Sequence, residues 1–395
     1  MSKNRPPAMP HEQHESDSDH APSQFPCKEC GATLQFKPGD DSLSCPYCGT
    51  SNKIEVKQET IKENDFYKTL EMLDSSADME ELSVVQCNIC AAQVKQEANV
   101  VSSECPYCGS AIVTSSQSVK QIKPKSLLPF KVTIKEAKQS FKKWIKGLWF
   151  APNDLKKLLK LDNRLNGMYT PYWTYDADTI SHYTGARGTH YYVTKTRTVT
   201  RNGRTTTETY RERRTRWTSV SGTVYRDFDD VLVLASNSLP RKYADELEPW
   251  DLHNLVPYSD DYLAGFRTES YQIDLKGGFQ IAKSIMDDSI RGAVRADIGG
   301  DEQRIYSVSS IFNDITYKHL LLPVWICAYR YKNKVYRFLV NARTGEVQGE
   351  RPWSWIKITL AAICGVAAIC GVLAVIYPDE ARYIMERILD KVRFS

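Results

Sequence analysis

Little in this chain points to catalysis. It has no G-x-S-x-G serine elbow and no H-E-x-x-H metalloprotease helix. The nearest approach to a phosphate-binding loop, Gly277 to Ser284, has Ala282 where a glycine must precede the lysine, and it lies inside a helical stripe. The seven histidines show no metal-binding spacing: His11, His14 and His20 belong to a polar opening stretch, His253 adjoins Asp251 with no nucleophile, and His182, His190 and His319 stand apart. An excess of one charge is lacking too. With 52 basic and 48 acidic residues the net charge is only +4, so composition alone does not make a nucleic-acid binder, and any such case must come from local clustering. The chain opens without a signal-peptide pattern, which argues against a secreted disulfide framework. An enzyme is not expected.

What is present is a repeated metal-ligand pattern. Of the 11 cysteines, eight form the C-x-x-C pairs Cys27/Cys30, Cys45/Cys48, Cys87/Cys90 and Cys105/Cys108, the second set offset from the first by 60. Four thiolates at this spacing make a closed tetrahedral site that suits Zn²⁺ and leaves no open position for a substrate. Two pairs sit in the identical pentapeptide Cys-Pro-Tyr-Cys-Gly, at 45–49 and 105–109. Gly31, Gly49 and Gly109 follow the second cysteine of their pairs and allow the positive φ that turns N–H groups toward sulfur; Ala91 breaks the rule. Pairing across the 38 residues between Cys48 and Cys87 is disfavoured by roughly 1 kcal/mol of loop entropy per site. Two structural zinc ions are therefore expected, one in each of two tandem ribbons.

The 395 residues suffice for two or three units, and the expected fold class is α+β. The expected order is a disordered tail at 1–24, ribbon 1 at 25–52, a charged helical spacer at 53–84, ribbon 2 at 85–115 and an α+β domain at 124–352. That domain should begin with helices near 133–147 and 152–165. From Tyr169 the strand formers Thr, Val, Tyr and Trp take over. Leu275, Phe279, Ala282, Met286, Ile290 and Ala293 mark a further helix; strands return at Val324–Tyr331 and Lys334–Asn341, with Thr344-Gly345 as a turn. Pairing should be mostly antiparallel. Pro171-Tyr172-Trp173 and Pro323-Val324-Trp325 each lead into a strand and are read as marks of two related halves.

Asn202-Gly203 between strand-like runs predicts a two-residue type I′ hairpin spanning about 189–217. Thr200 then faces Thr205, Thr198 faces Thr207, Thr196 faces Thr209, Arg197 faces Glu208 and Lys195 faces Tyr210. Residues 195–217 carry Lys195, Arg197, Arg201, Arg204, Arg211, Arg213, Arg214 and Arg216 against two glutamates, a local net of +6. With neither face apolar, the hairpin should project as a basic arm for nucleic-acid phosphate, anionic lipid or an acidic protein.

Residues 358–377 run for 20 positions without a charge, long enough as a helix to cross a bilayer, with Trp353 and Trp355 at one end and Tyr377 at the other. The expected span is 356–377, followed by a short amphipathic tail at 378–395. Flanking basic residues number four on each side, so charge does not orient the span; thiolate stability places the ribbons in the cytosol. Ala361/Gly365 and Ala367/Gly371 would let two such helices approach, which makes a homodimer a candidate.

The ribbons resemble the transcription factor IIB type, and the whole layout resembles a family of bacterial membrane-anchored zinc-ribbon proteins. The shared stretches are residues 167–173, 236–240, 318–325 and 341–346 of this chain. Such proteins are often labelled after the zinc region of the primosomal helicase, but this chain lacks that enzyme's motor domains and helicase activity is not carried over. The resemblance implies the eight zinc ligands and no established activity. The expected function is a non-enzymatic scaffold on the inner membrane whose ribbons and cytosolic domain bind a protein partner. The alternative is a membrane-attached nucleic-acid binder, with an enzyme of unrecognised type third.

Overall fold

A computed structural model describes residues 25–40, 42–55, 61–73, 79–90, 92–95, 102–113, 116–152, 165–201, 204–331 and 334–378. The expected helix at 152–165, the turn residues Asn202-Gly203, the first 24 residues and the tail after 378 fall largely or wholly outside these ranges.

The first cysteine loop carries three short antiparallel strands, β1 (Gln35–Phe36), β2 (Ser42–Ser44) and β3 (Ser51–Lys53). A pair, β4 (Asn64–Asp65), then leads into helix α1 (Phe66–Met72), whose first turn is capped by the Asp65 carboxylate accepting from Lys68 N–H. The expected spacer at 53–84 is therefore helical only over these seven residues among those described. It is no free spacer either: Phe66 is 3% exposed and packs its ring 4.8 Å from Phe279. Strand β5 (Met79–Gln86) follows and flanks the second cysteine loop with β6 (Gln93–Lys95), β7 (Ser102–Glu104), β8 (Ala111–Val113) and β9 (Ser116–Ile122). The strands entering and leaving this loop, β5 and β9, pair with each other.

After β10 (Ser126–Leu127) comes α2 (Ile134–Gly147), started by a full capping box between Thr133 and Glu136. Its apolar stripe Ala137, Phe141 and Ile145 faces inward. Two very long strands then dominate, β11 (Asn166–Arg201) and β12 (Arg204–Leu234). Short α3 (Arg241–Asp245), β13 (Val256–Pro257) and β14 (Arg267–Thr268) precede α4 (Leu275–Ile298). The chain closes with β15 (Glu302–Tyr331), β16 (Lys334–Asn341), β17 (Val347–Gly349) and α5 (Trp355–Ile376).

These elements form a mixed α+β fold built on one nine-stranded sheet, with β11 between β12 and β15. Pairing is antiparallel except for β10 with β15 and β11 with β14. The two Pro-x-Trp stretches lie side by side on paired strands, with Gly167 opposite Trp325 and Trp173 opposite His319.

Alternation along the strands gives the sheet two buried faces at its base. Tyr169, Trp325, Phe338 and Val340 pack on one side with Phe36, Phe141 and Cys27. Met168, Tyr172, Val324 and Leu339 pack on the other with Tyr107, Cys87 and Cys105. The ribbons thus sit on opposite faces of one sheet. Helix α4 runs further along β11: Phe279 and Met286 pack with Trp173 and Tyr175, and Ile290, Val294 and Ile298 with Tyr183. Gly278 lets this helix close in, since a Cβ there would stand 2.3 Å from the Tyr175 hydroxyl. Of the two glycines that suggested a phosphate-binding loop, Gly278 therefore serves helix packing, and Gly277 leaves room for the Asp274 cap. The helix itself starts at Asp274, whose carboxylate accepts from Gly277 N–H at 2.7 Å.

Candidate metal centres

Each C-x-x-C pair folds into the same turn. Cys27 N–H donates to Ala32 O, Cys45 to Thr50 O, Cys87 to Ala92 O and Cys105 to Ser110 O, at 2.7–2.8 Å throughout. Gly31, Gly49 and Gly109 take φ of 72°, 78° and 67°, the conformation their position demands; Ala91 lies outside the described residues. The result is two clusters, Cys27/Cys30/Cys45/Cys48 and Cys87/Cys90/Cys105/Cys108, in each of which the four sulfurs lie within 4.8 Å of one another. The Cys27–Cys48 and Cys30–Cys45 sulfurs are 3.5 Å apart, and the Cys87–Cys108 and Cys90–Cys105 sulfurs 3.6 Å. A tetrahedral zinc with bonds of about 2.3 Å needs sulfurs about 3.8 Å apart, so both sets fit zinc. Crossed pairing between ribbons does not occur.

The electrostatics agree with a cation at each centre. Hydrogen bonds from the Thr50 hydroxyl and backbone N–H hold Cys48 down to about 6. A hydrogen bond with Cys105 holds Cys90 down to about 5, and Cys105 in turn is pushed far up. Cys30 rises to about 12: the Ala32 N–H pulls it down, but Cys45 and Cys48 beside it outweigh that pull. Four adjacent thiols cannot all ionise unaided, and a divalent cation is what lets them do so. Bound there, zinc would cross-link each loop as a structural tie.

The two centres sit in different settings. In ribbon 1, Tyr47 is 84% exposed, and Cys30 and Cys48 are exposed as well. Ribbon 1 is held from its far side, where Phe36 N–H donates to Ala264 O and the Phe36 ring packs 5.4 Å from Tyr262. In ribbon 2 the equivalent Tyr107 is 0% exposed and donates its hydroxyl to Glu269 Oε2 at 2.5 Å. Glu269 Oε1 accepts from Ser236 at 2.7 Å and also from Ser238. Burial pushes this carboxyl up to about 7, against the lowering effect of Ser238, Tyr107 and Ser236. Arg337 Nε donates to Tyr107 O at 2.8 Å, so the knuckle is clasped from both the side chain and the backbone. Glu269 carried no motif in the sequence, because its partner lies 162 positions away.

The basic arm has the register that the Asn-Gly turn predicts: Thr200 opposite Thr205, Thr198 opposite Thr207, Thr196 opposite Thr209, Arg197 opposite Glu208, Lys195 opposite Tyr210 and Arg201 opposite Arg204. It is not a separate hairpin, however. Its strands are the ends of β11 and β12, and β15 accompanies them as far as Gly188 opposite Glu302. Beyond that point 13 residues of β11 continue as a two-stranded ribbon, roughly 40 Å at about 3.3 Å per residue. Register puts Lys195, Arg197, Arg214 and Arg216 on one face, and Arg211 and Arg213 on the other with the threonines. The arm's two glutamates serve the first face: Glu208 pairs with Arg197 at 3.0 Å, and Glu212 pairs with Lys195 and with Arg214. Arg216 lies over the Tyr191 ring.

A third acidic grouping, Glu63, Asp176 and Asp229, was not anticipated. Lys318 lies beside it and donates to Glu63 at 3.0 Å and to Asp230 at 2.7 Å, tying the segment before α1 to the sheet. His319 is buried, donates from Nδ1 to Ile122 O at 2.8 Å, and is pushed down to about 4 by burial. Cys327 is buried in the core, as its alternation with apolar neighbours predicts. Helix α5 is long and apolar enough to cross a membrane, with a mean hydropathy of 2.6 and none of it buried against the rest of the chain.

Compared with known proteins, the chain matches no family model and no solved structure. It is similar to the uncharacterized protein YdjG of Bacillus subtilis (strain 168), 26% identical over 345 residues that make up 87% of this chain and 94% of that protein. That name assigns no activity, and none passes to this chain. The four-cysteine clusters themselves define tandem zinc-ribbon-like motifs.

Proposed function

We propose that this protein is a non-enzymatic, zinc-binding scaffold, held to a membrane by α5, whose first ribbon and basic arm bind a protein partner. The observation that carries the reading is the unequal setting of two near-identical zinc sites. The second has its knuckle tyrosine buried in the core, as a structural staple needs; the first holds the same tyrosine out to solvent. An exposed aromatic on a rigid, metal-tied turn is the kind of anchor that protein interfaces use. The arm adds a second contact of opposite character, rich in arginine. Zinc-bound thiolates favour a reducing compartment, so the ribbons belong on the cytosolic side of the inner membrane and α5 crosses it once.

Site-specific photocrosslinking in intact membranes tests this. A crosslinker at residue 47 should trap a discrete protein, and one at the buried position 107 should trap none. Reversing Arg211 and Arg213 should weaken the same adduct. Failure of position 47 to yield any adduct, with the protein inserted and zinc-loaded, refutes the scaffold reading.

A second reading is a membrane-attached nucleic-acid binder, favoured by Tyr192 and Tyr210 standing exposed among the arginines of the arm. It requires binding that falls steeply with salt and disappears when Arg201, Arg204, Arg211, Arg213 and Arg214 are neutralised.

A further inference from the structure

Helix α5 is tied to the domain at its first turn. Ser354 N–H donates to the Phe150 carbonyl at 2.8 Å, and Lys357 Nζ donates to the carbonyls of Trp149 at 3.2 Å and Ala151 at 2.8 Å. The turn that ends α2 is thereby fixed beside the start of the apolar helix. Between them lies an open groove of about 530 Å³, with Lys146, Trp149, Lys357, Leu360, Ala361 and Cys364 in its wall. That volume falls within the range of small-molecule sites, about 300–1,000 Å³.

The groove is graded. Its polar lining is the two lysines and an indole at the end of α2 and the head of α5; beyond Lys357, α5 contributes only Leu360, Ala361 and Cys364. Among the described residues, no acidic side chain lines it. The acid in the first turn of α2, Glu136, is at the far end of that helix and engaged in its capping box. Because α2 buries Ala137, Phe141 and Ile145, the residues left outward include Lys135, Lys142, Lys143 and Lys146. Lys357 gives two N–H groups to carbonyls and retains a third donor, since an ammonium has three. Trp149 is 80% exposed, Trp353 52% and Trp355 77%. Indoles and lysines at the head of an apolar helix settle at the level of lipid headgroups.

We propose that this groove holds an anionic phospholipid, its phosphate between Lys146 and Lys357 and an acyl chain against Leu360, Ala361 and Cys364. The bound lipid would seat the α2 side of the domain on the membrane surface. The inference rests on the reading of α5 as a membrane span. It is distinct from lipid contact by the arm, which lies at the opposite end of β11 from the strands that α2 packs against.

The test uses the full chain reconstituted in phosphatidylcholine nanodiscs. A trace of phosphatidylglycerol or phosphatidylcholine is added, each with the same photoactivatable group in the acyl chain. The expected result is adducts concentrated on Leu360 to Cys364 and the end of α2. The glycerol lipid should exceed the choline lipid by about fivefold, the preference that one lysine near an anionic surface supplies. Lys142→Glu with Lys146→Glu should bring the two lipids level without changing adducts on the rest of α5; Lys146→Gln, milder for folding, should reduce the preference in part. Equal labelling by the two lipids, labelling spread evenly around α5, or a preference that disappears only when Arg211 and Arg213 are reversed would overturn the proposal. If the chain does not enter the nanodiscs at all, it is the membrane reading that fails.

Discussion

The repeated pentapeptide supplies its own control. Removing one hydroxyl from each copy, by Tyr47→Phe and Tyr107→Phe, is the same chemical change in two settings. Tyr47 is 84% exposed and its loss of a hydroxyl should alter stability by no more than about 0.5 kcal/mol. Tyr107 is 0% exposed, and its hydroxyl is the donor to Glu269 Oε2, an atom with no other hydrogen bond among the described residues. Losing a hydrogen bond to a charged, buried group costs about 1.5–3 kcal/mol. The effect should also depend on pH. Glu269 rises from 4.5 to about 7 in the folded chain, so its contribution to stability is fully present below about 4.5 and is lost as pH rises through 7. At 1.36 kcal/mol per pH unit, that rise corresponds to roughly 3 kcal/mol. The Tyr107 hydroxyl lowers this pKa; without it the ionised form is worse still. Tyr107→Phe should therefore destabilise more near pH 8 than near pH 5, while Glu269→Gln should flatten the wild-type profile. Urea unfolding of the detergent-solubilised full chain, followed by tryptophan fluorescence and by zinc release to a chromophoric chelator, measures all of this. Equal and small effects of the two substitutions at both pH values would refute the claim that Glu269 locks ribbon 2 into the core.

Elemental analysis should find about two zinc ions per chain; Cys48→Ser should lower this to about one and leave the domain folded, whereas Cys87→Ser, at a site 1% exposed in the core, should also unfold its surroundings. Gly278→Ala should cost about 1–3 kcal/mol because its Cβ collides with Tyr175 and Trp173, whereas Gly292→Ala in the same helix meets nothing within 4 Å and should gain up to about 1 kcal/mol in thermal unfolding. Arg343 donates to Asp251 at 2.8 Å and 2.5 Å and to Pro129 O at 3.0 Å, and Arg343→Ala should cost about 2–3 kcal/mol by leaving that partly buried carboxylate without its counter-charge, still held by the Asn254 amide. Protease added to the cytosolic side of sealed membranes should digest residues 1–352 and spare α5; extraction of the protein by carbonate would refute the span.

The sequence by itself determined what depends on short separations. The spacing of the cysteines set both four-cysteine clusters, because each knuckle is closed by hydrogen bonds within six residues and each loop spans 14. Asn202-Gly203 set the arm's register, because a two-residue turn leaves one way to pair the strands. The uncharged run set α5 within a residue or two, because length and hydropathy are local properties. Tertiary structure decided the rest. Identical pentapeptides gave no hint that Tyr107 is buried and Tyr47 exposed, since that difference comes from Glu269 and Arg337, more than 160 positions away. The spacer looked helical because its charges hid an eight-residue strand, β5, that is defined by pairing with β9 and β6. The arm looked like a local hairpin because polar alternation marks only its exposed end. The inner parts of β11 and β12, which the arm extends, are flanked by β15 and α4, whose partners of β11 lie over 100 residues further along. Burial and strand partnership are properties of the assembled sheet, and no window of the chain contains them.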